Sequence, residues 1–308
     1  MLANITYKME DRILFSLTAN KKTADKLSKS LNIPLGKAKV EHFADGEVMC
    51  KTLTPVKDKN VFVIQSTSKP AVSRLFELLL FIDSVKRAGA KKVNLIMPYF
   101  GYSRQEVSWN NEPVSCEVVA RIINVSGADS LITFDLHTPV IHTFFKIPVK
   151  DVNTTSLFAD YYSNIFKKDG TNAKDIIIVS PDHGSNERAH LLSEALLAPS
   201  VIILEKKRPR PNYSETMFVE GDVKDKTCII IDDIIDTGGT ITNAVRILKE
   251  KGAKAVYIAA SHAVFSKGAI NRIKDCGVKD IVVTDSIEKK YPSEINVLPI
   301  SELIKEYL

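Results

Sequence analysis

Two adjacent carboxylates and a glycine-rich turn give the segment 232–240 the clearest chemistry in the chain. The segment follows an apolar run and contains Asp232, Asp233, Asp236, Thr237, Gly238, Gly239 and Thr240. Glycines let backbone N–H groups surround an anion, and the start of a helix adds unpaired N–H donors. Carboxylates repel phosphate but accept hydrogen bonds from hydroxyl groups, so the acidic pair suits a vicinal diol. Phosphate and diol together indicate a sugar phosphate such as ribose 5-phosphate; the ordinary alternative is a capped helix after a Gly-Gly turn.

Two further polar residues, His137 and Asp182, each follow an apolar run, at 131–134 and 176–179. In an α/β fold, ligands bind beyond the carboxyl ends of the strands. One imidazole and one carboxylate from different loops could hold a hydrated Mg²⁺ that keeps most of its waters. The ordinary alternatives are a buried hydrogen-bonding histidine for His137 and a helix cap for Asp182.

Positive charge is concentrated at 206–210, where prolines interrupt a run that contains Lys206, Lys207, Arg208 and Arg210. Because proline is excluded from helix interiors, we expect these charges on a loop. Without further information, a solvated basic loop or a short patch similar to a nuclear-localisation signal is the simpler interpretation.

Short apolar runs alternate with helical patterns along the chain. Runs that are apolar throughout are typical of strands buried on both faces of a parallel sheet. The strands are predicted at 13–17, 61–64, 93–97, 131–134, 176–179, 201–204, 228–231, 256–259 and 281–283. The helices are predicted at 75–88, 117–125, 156–168, 187–197 and 240–251. This alternation predicts a doubly wound α/β fold.

The strands form two groups, which predicts two similar domains rather than one very wide sheet. A chain of 308 residues is long enough for two domains at roughly 100–200 residues each. A polar stretch at 151–155 is a plausible junction, so the domains are expected at 1–152 and 153–308. The C-terminal end of the second segment could pack back on the first domain.

Composition excludes several other classes of protein. Hydrophobic residues make up 44% and charged residues 26% of the chain, as in an ordinary globular protein. No apolar run approaches the ~20 residues of a membrane-spanning helix, and a diffuse net charge of +5 does not indicate a nucleic-acid partner. The four cysteines are far apart and form neither a zinc pattern nor a redox motif, which predicts reduced thiols in a cytoplasmic protein.

Segment 232–240 resembles the ribose-phosphate motif of the phosphoribosyltransferase fold. Further segments, in the same order over nearly the whole chain, resemble one family within that fold, the ribose-phosphate diphosphokinases (phosphoribosyl diphosphate synthetases). These segments are 43–47 (FADGE), 98–105 (PYFGYSRQ), 134–137 (FDLH), 144–148 (FFKIP), 180–184 (SPDHG) and 205–212 (EKKRPRPN). The resemblance implies two doubly wound parallel-sheet domains of the type I phosphoribosyltransferase fold. It also implies transfer of the diphosphoryl group of Mg-ATP to the 1-OH of ribose 5-phosphate.

The resemblance assigns a role to each candidate residue. Lys206 and Arg208 fall on the catalytic positions of a loop that closes over triphosphate, and His137 and Asp182 fall on the Mg²⁺ site. The ribose 5-phosphate site comprises Asp232, Asp233, Asp236, Thr237, Gly238, Gly239 and Thr240. The ATP site comprises Phe43, Asp45, Glu47, Arg104 and Gln105.

The ATP assignments also have a physical basis. Phe43 could stack on a purine, and the planar guanidinium fork of Arg104 binds two phosphate oxygens at once. An exposed hairpin is the ordinary alternative for Asp45 and Gly46, a common turn pair. In the family this hairpin reaches the ATP site of a neighbouring subunit, so the resemblance implies a homo-oligomer, a hexamer built from dimers.

The sequence departs from the family pattern at three places. The segment 106–113 has no Lys or Arg where relatives carry a basic run, and its Trp109 could cover adenine or pack at a subunit contact. The usual Asp-x-Gly-Gly loop ends in Ser185, where a positive φ would be strained and the hydroxyl could instead donate to phosphate. The segment 55–57 differs from the usual regulatory segment and the C-terminus is short, which predicts weak or absent orthophosphate activation and ADP inhibition.

Two rival functions remain open at this point. A non-catalytic regulatory paralogue that binds active subunits is favoured by the altered 104–113 segment and opposed by the retained candidate residues. A phosphoribosyltransferase that consumes phosphoribosyl diphosphate is opposed by the adenine-type 43–47 segment and by the length of the N-terminal half.

Overall fold

The computed structural model describes residues 11–207, 216–219 and 221–308, which form two compact units. The first unit extends to Val152 and also includes Ser286–Lys289 and Pro299–Leu308. The second unit consists of Asn153–Asp285 and Lys290–Leu298.

The first unit is built on a parallel five-stranded sheet whose strands are apolar over most of their length. In spatial order, the strands are β1 (Arg12–Ser16), β4 (Asn60–Ile64), β5 (Lys92–Met97), β6 (Ser130–Phe134) and β7 (Val149–Val152). All five residues of β4 are buried, as expected for a strand covered on both faces. Two long helices, α2 (Ala71–Arg87) and α3 (Ser115–Val125), pack their apolar side chains against one face of the sheet.

A two-stranded antiparallel hairpin, β2 (Ala38–His42) and β3 (Val48–Thr52), accompanies this sheet. Helix α1 (Lys21–Leu31) precedes the hairpin and buries only Thr23, Ala24 and Leu27. Segment Ser286–Lys289 comes late in the chain but belongs to the first unit. A hydrogen bond attaches it there, because the Ser286 carbonyl oxygen accepts from Ser66 Oγ at 2.6 Å. The short helix α8 (Ser301–Ile304) lies near the end of the chain within the same unit.

The second unit is built on a seven-stranded sheet. In spatial order, the strands are β10 (Thr216–Val219), β9 (Ser200–Lys207), β8 (Ile176–Ser180), β11 (Thr227–Ile235), β12 (Ala255–Ala263), β13 (Asp280–Thr284) and β14 (Ile295–Leu298). Only β10 runs antiparallel to its neighbour; the other described strands pair in parallel.

Both faces of this second sheet carry an apolar layer, because successive strand residues point to opposite sides. Ile177 and Ile230 lie in one layer with α6 (Gly239–Glu250) and α7 (Ala269–Asp275). Ile178 and Ile229 lie in the other layer with α4 (Thr155–Asp169) and α5 (Asn186–Leu196). The unit is therefore doubly wound, and the prediction of a doubly wound α/β fold is confirmed.

Three strands, β9, β11 and β12, are several residues longer than their apolar runs predicted, and the first two carry candidate residues. Strand β9 extends through Lys206 and Lys207, which pair with Met217 and Thr216 of β10. The expectation that these two lysines lie on a loop was wrong, because antiparallel pairing with β10 continues the strand past its apolar part. Strand β11 extends to Ile235, so Asp232 and Asp233 lie inside the strand and not after it.

No helix in the described ranges is long and apolar enough to cross a lipid bilayer.

Two adjacent tyrosines of α4 allow a test of the packing in the second unit. The Tyr161 hydroxyl donates to Asp280 Oδ2 at 3.1 Å, whereas the fully buried Tyr162 hydroxyl has no hydrogen-bond partner among the described residues. We expect Tyr161→Phe to lower the free energy of unfolding by about 1–2 kcal/mol, because a half-buried carboxylate loses a donor. Tyr162→Phe should leave it unchanged or raise it by up to ~1 kcal/mol, since an unpaired polar group is removed.

Urea unfolding of the wild type and of both variants measures this difference. Each variant is the matched control for the other, because the ring and the helix are the same. Equal destabilisation by the two substitutions would contradict the hydrogen bonding described above.

Candidate active site

The stagger between β8 and β11 creates the base of the site in the second unit. Pairing between these strands ends at Val179 and Ile230, whereas β11 continues along β12 until Ile235 pairs with Ala263. Asp232 and Asp233 therefore stand at the carboxyl end of β11, beyond its last pair with β8. Ligands of parallel α/β sheets bind at this edge.

Both carboxylates are buried, Asp232 at 9% exposure and Asp233 at 4%. Oδ1 of Asp232 accepts two hydrogen bonds, from Ser185 Oγ at 2.6 Å and from the Asp233 N–H at 2.9 Å. Burial and then the neighbouring Asp233 raise the pKa of Asp232 well above its ordinary value, while the Ser185 hydrogen bond acts in the opposite direction. The pair is thus a buried acidic site that hydroxyl donors would stabilise.

The turn at 236–238 joins these carboxylates to helix α6. Gly238 has a φ of +79°, and a Cβ there would lie 3.2 Å from the Ile273 side chain, so both conformation and space favour glycine. The first helical hydrogen bond runs from the Thr242 N–H to the Gly238 carbonyl oxygen at 2.8 Å, and α6 begins at Gly239. The N–H groups of the first turn lack helical partners, which suits an anion.

Two residues that sequence reasoning missed hold this turn in place. The Ser266 hydroxyl donates to the Asp236 carboxylate, and the Ser266 N–H donates to the Asp236 carbonyl oxygen at 2.9 Å. Arg272 of α7 donates to the Thr237 carbonyl oxygen at 2.7 Å. Ser266 and Arg272 follow the motif by about thirty residues and belong to no recognisable pattern, so only the fold brings them together with it.

Asp182 lies in the loop after β8, also in the second unit. Its Oδ1 accepts from the Gly184 N–H at 3.0 Å, and its carbonyl oxygen accepts from Ser180 Oγ at 2.5 Å. The side chain therefore caps a short helical turn, as one of the two interpretations of Asp182 expected.

His137 lies in the loop after β6, in the first unit. The preceding Asp135 is buried with a φ of +40°, and the Leu136 N–H donates to Asp151 Oδ2 at 3.2 Å. These contacts fasten the start of the loop to β7, and His137 itself is half-buried. Within the described residues, no group of three or more His, Cys, Asp or Glu side chains is arranged to hold a metal ion.

The segment 43–47 forms the tip of the β2–β3 hairpin, as one interpretation of Asp45 and Gly46 expected. The Phe43 N–H donates to the Glu47 carbonyl oxygen at 2.8 Å, and Asp45 Oδ1 accepts from the Glu47 N–H at 3.0 Å. The Phe43 ring is 51% exposed, so it is presented on the surface of this unit.

Arg104 and Gln105 follow a tight turn beyond β5 and are both exposed. A Cβ on Gly101 would lie 2.5 Å from the Thr67 carbonyl oxygen, so the turn passes too close to the β4–α2 connection for any larger residue. The Gln105 N–H donates to the Tyr102 carbonyl oxygen at 3.0 Å. Trp109, in the segment that lacks basic residues, is 70% exposed.

Of the two residues predicted to be catalytic, Lys206 lies on β9 and Arg208 lies outside the described residues.

Comparison with known proteins decides the family. Residues 12–127 match the family model for the N-terminal domain of ribose phosphate pyrophosphokinase, and residues 153–294 match the phosphoribosyl transferase domain. Ribose-phosphate pyrophosphokinase 1 of Listeria innocua is 43% identical over 297 residues, which cover 95% of this chain and 92% of that protein. The chain belongs to the ribose-phosphate pyrophosphokinase family.

Two further proteins of the same family are similar to this chain over nearly its whole length. The ribose-phosphate pyrophosphokinase of Bacillus cereus is 42% identical over 95% of this chain and 92% of its own length. The crystal structure of phosphoribosylpyrophosphate synthetase from Mycobacterium smegmatis superimposes with a TM-score of 0.88 at 34% identity, covering 96% of this chain and 97% of that one. The predictions of the family, of the type I phosphoribosyltransferase fold and of a ribose-phosphate diphosphokinase are confirmed.

The departure from the family's Asp-x-Gly-Gly loop has a structural explanation that differs from the one expected. Ser185 has a φ of −97°, so a side chain there causes no backbone strain. Its hydroxyl was considered as a phosphate donor, but it is buried and donates to Asp232. That expectation considered the loop sequence alone. It did not include the extension of β11 beyond its last pair with β8, which brings Asp232 within hydrogen-bonding distance of Ser185.

The raised pKa of Asp232 predicts that the ionised form of this side chain costs the folded protein stability. The Asp232 carboxyl group binds its proton more tightly in the folded protein than in the unfolded chain. Its contribution to the free energy of unfolding is therefore fully present below the ordinary carboxyl pKa. That contribution is lost as pH rises through the higher pKa of the folded protein. We expect Asp232→Asn to raise Tm relative to the wild type by about 2–4 °C at pH 8, and by less at pH 5.

Thermal unfolding at the two pH values measures this effect. Asp160→Asn, at an exposed position of α4, is the matched control and should shift Tm little at either pH. A Tm advantage of Asp232→Asn that shrinks as pH rises would contradict the prediction.

Proposed function

We propose that the chain transfers the β,γ-diphosphoryl group of Mg-ATP to the 1-OH of ribose 5-phosphate, giving phosphoribosyl diphosphate and AMP. The observation that carries this proposal is the segment 232–240, in which buried carboxylates and a helix N-terminus adjoin. We also propose that residues 1–152 and 153–308 are its functional domains and that it acts in the cytoplasm.

The sugar is proposed to bind along segment 232–240. Asp232 and Asp233 accept hydrogen bonds from the ribose hydroxyls, and Asp236 continues this acidic edge. The N–H groups of Gly238, Gly239 and Thr240, with the hydroxyls of Thr237 and Thr240, donate to the 5-phosphate. Acceptors at one end and donors at the other match a ligand that has hydroxyls at one end and a phosphate at the other.

ATP is proposed to be held by two groups of residues from the first unit. The exposed Phe43 ring stacks on adenine, while Asp45 and Glu47 accept from amino or hydroxyl groups. Arg104 binds phosphate oxygens and Gln105 donates to base or phosphate. The exposure of Phe43 supports this role, because a stacking ring must be accessible.

Phosphoryl transfer needs little covalent participation from a protein; positioning and neutralisation of charge supply most of the acceleration. We assign neutralisation to Lys206 and Arg208, which would stabilise the negative charge on the transferring group. The location of Lys206 on β9 gives its backbone a fixed support.

Mg²⁺ is the cofactor that the family generally uses, and His137 and Asp182 are proposed to hold it. The donor chemistry fits, because one imidazole and one carboxylate leave most positions to water and phosphate oxygens. When bound, the ion would neutralise charge on the nucleotide phosphates.

A homo-oligomer, a hexamer built from dimers, is proposed as the working assembly. Two helices of the first unit support self-association, because each exposes apolar side chains at helical spacing. These side chains are Val72, Phe76 and Leu80 on α2, and Val118, Ile122 and Val125 on α3. Such stripes usually mark protein contacts.

The decisive experiment incubates the purified protein with ATP, Mg²⁺ and ribose 5-phosphate and measures AMP and phosphoribosyl diphosphate. We expect both products in equal amounts, and neither without ribose 5-phosphate. Repeating the assay with and without orthophosphate and ADP tests the predicted weakness of both effectors. Absence of AMP would favour the regulatory paralogue, and consumption of phosphoribosyl diphosphate with a base would favour a phosphoribosyltransferase.

Lys206→Ala and Arg208→Ala test the catalytic assignment. Each should lower kcat by about a hundredfold or more with a modest change in KM, because the contact is made mainly in the transition state. Lys226→Ala and Arg246→Ala are matched controls, since these cations pair with Asp175 and Glu250 on the surface of the second unit. A change confined to KM would contradict the assignment.

A further inference from the structure

One buried contact links a loop and a strand of the second unit that belong to separate sequence motifs. Ser185 closes the loop that follows β8, and its hydroxyl donates to Oδ1 of Asp232 on β11 at 2.6 Å. Both partners are buried, with Ser185 only 1% exposed. The contact joins the loop that contains Asp182 to segment 232–240.

The fold fixes the contact from both sides. Ser185 is followed at once by α5, whose Ala189 and Leu192 are fully buried in the apolar layer of the sheet. Asp232 belongs to a strand that is paired with β12 at this point, through Asp232 and Ala260. Neither partner can move far without disturbing a packed element, so the hydrogen bond joins two rigid supports.

The hydrogen bond also determines which carboxylate oxygen is engaged. Oδ1 of Asp232 accepts from Ser185 and from the Asp233 N–H, so both of these bonds converge on the same oxygen. Two donors on one oxygen fix the rotation of the carboxylate. The carboxyl group of Asp232 also hydrogen-bonds the side chain of Asp233, so its surroundings are polar on more than one side.

We propose that Ser185 is a positioning residue for ribose 5-phosphate, whose hydroxyl holds Oδ1 of Asp232 and thereby orients the carboxyl group of Asp232 toward a ribose hydroxyl. This inference rests on the proposed function of the site. A buried carboxyl group is an effective acceptor only while its orientation is fixed, and a hydrogen bond from a buried hydroxyl fixes it. Burial and Asp233 disfavour the charged form of Asp232, and the Ser185 donor offsets part of that effect.

The proposal assigns a role in ribose 5-phosphate binding to position 185, which is glycine in the usual motif. Glycine cannot donate from a side chain, so Ser185→Gly removes the same bond as Ser185→Ala. Both variants should therefore bind the sugar more weakly, although one of them restores the usual motif. This expectation separates a positioning role from simple tolerance of serine in the loop.

Steady-state kinetics of the full chain test the inference. We expect Ser185→Ala and Ser185→Gly to raise KM for ribose 5-phosphate roughly tenfold, which corresponds to the loss of about one hydrogen bond. KM for ATP and kcat at saturating sugar should change less than about threefold. Ser185→Thr keeps the hydroxyl and should restore part of the loss.

Deoxy sugars supply a readout that general damage to the fold would not move. Inhibition constants of 2-deoxyribose 5-phosphate and 3-deoxyribose 5-phosphate are compared with KM for ribose 5-phosphate. In the wild type, the analogue lacking the hydroxyl that Asp232 accepts should bind more weakly. In Ser185→Ala this discrimination should shrink severalfold, because the acceptor is no longer held in position.

Ser193→Ala is the matched control. Ser193 lies on α5, the helix that follows Ser185; it is also buried, and it donates to the Ala198 carbonyl oxygen at 2.8 Å, away from Asp232. Its substitution should lower Tm to a similar extent without changing discrimination between the sugars. Tm of every variant shows whether it is folded.

The outcomes separate this inference from the proposed function. A wild type that makes no AMP removes the proposed function, and calorimetric binding of ribose 5-phosphate to wild type and Ser185→Ala then decides the positioning role alone. An active wild type with unchanged KM, or with unchanged discrimination against both deoxy sugars, overturns the inference while the function stands. Absence of sugar binding by calorimetry removes both.

Discussion

The stagger between strands β8 and β11 is the constraint on which the candidate site depends. Because β11 passes the end of β8 while still paired with β12, it carries Asp232 and Asp233 into a buried position at the edge of the sheet. The same stagger leaves room for the loop after β8 to turn back over the strand end and place Ser185 against Asp232. A flush pair of strands would have left the carboxylates on an open loop, with neither burial nor a fixed donor.

Burial gives the two ends of segment 232–240 opposite electrostatic character. At the strand end, two adjacent carboxylates with few water contacts favour hydrogen-bond donors. At the helix end, the first N–H groups of α6 and the positive end of its dipole favour an anion. Only a short turn separates the two, and Ser266 and Arg272 hold that turn from outside the motif. The segment as a whole therefore has the polarity that the proposed sugar-phosphate site requires.

The sequence predicts the fold where local pattern and tertiary burial agree. Continuous apolar runs predicted nine strands to within a few residues, because strands covered on both faces need apolar residues throughout. The pattern fails where pairing rather than burial defines an element. The short β7 contains Lys150 and Asp151, and helix α1 buries only three of its residues, so neither has a strong periodic signal.

The site shows the same division between motif and fold. The residues of segment 232–240 could be proposed from the sequence alone, since their chemistry depends on contiguous residue types. The contact between Ser185 and Asp232 could not be predicted from the sequence. The two residues are 47 positions apart, and they meet only because β11 extends beyond its last pair with β8. A loop glycine is required where φ is positive or space is lacking, as at Gly238. At Ser185 the backbone is in an ordinary region, so a side chain is permitted, and the fold uses it to bind a neighbouring carboxylate. A departure from a motif is thus interpreted correctly only when the backbone at that position and the groups around it are known.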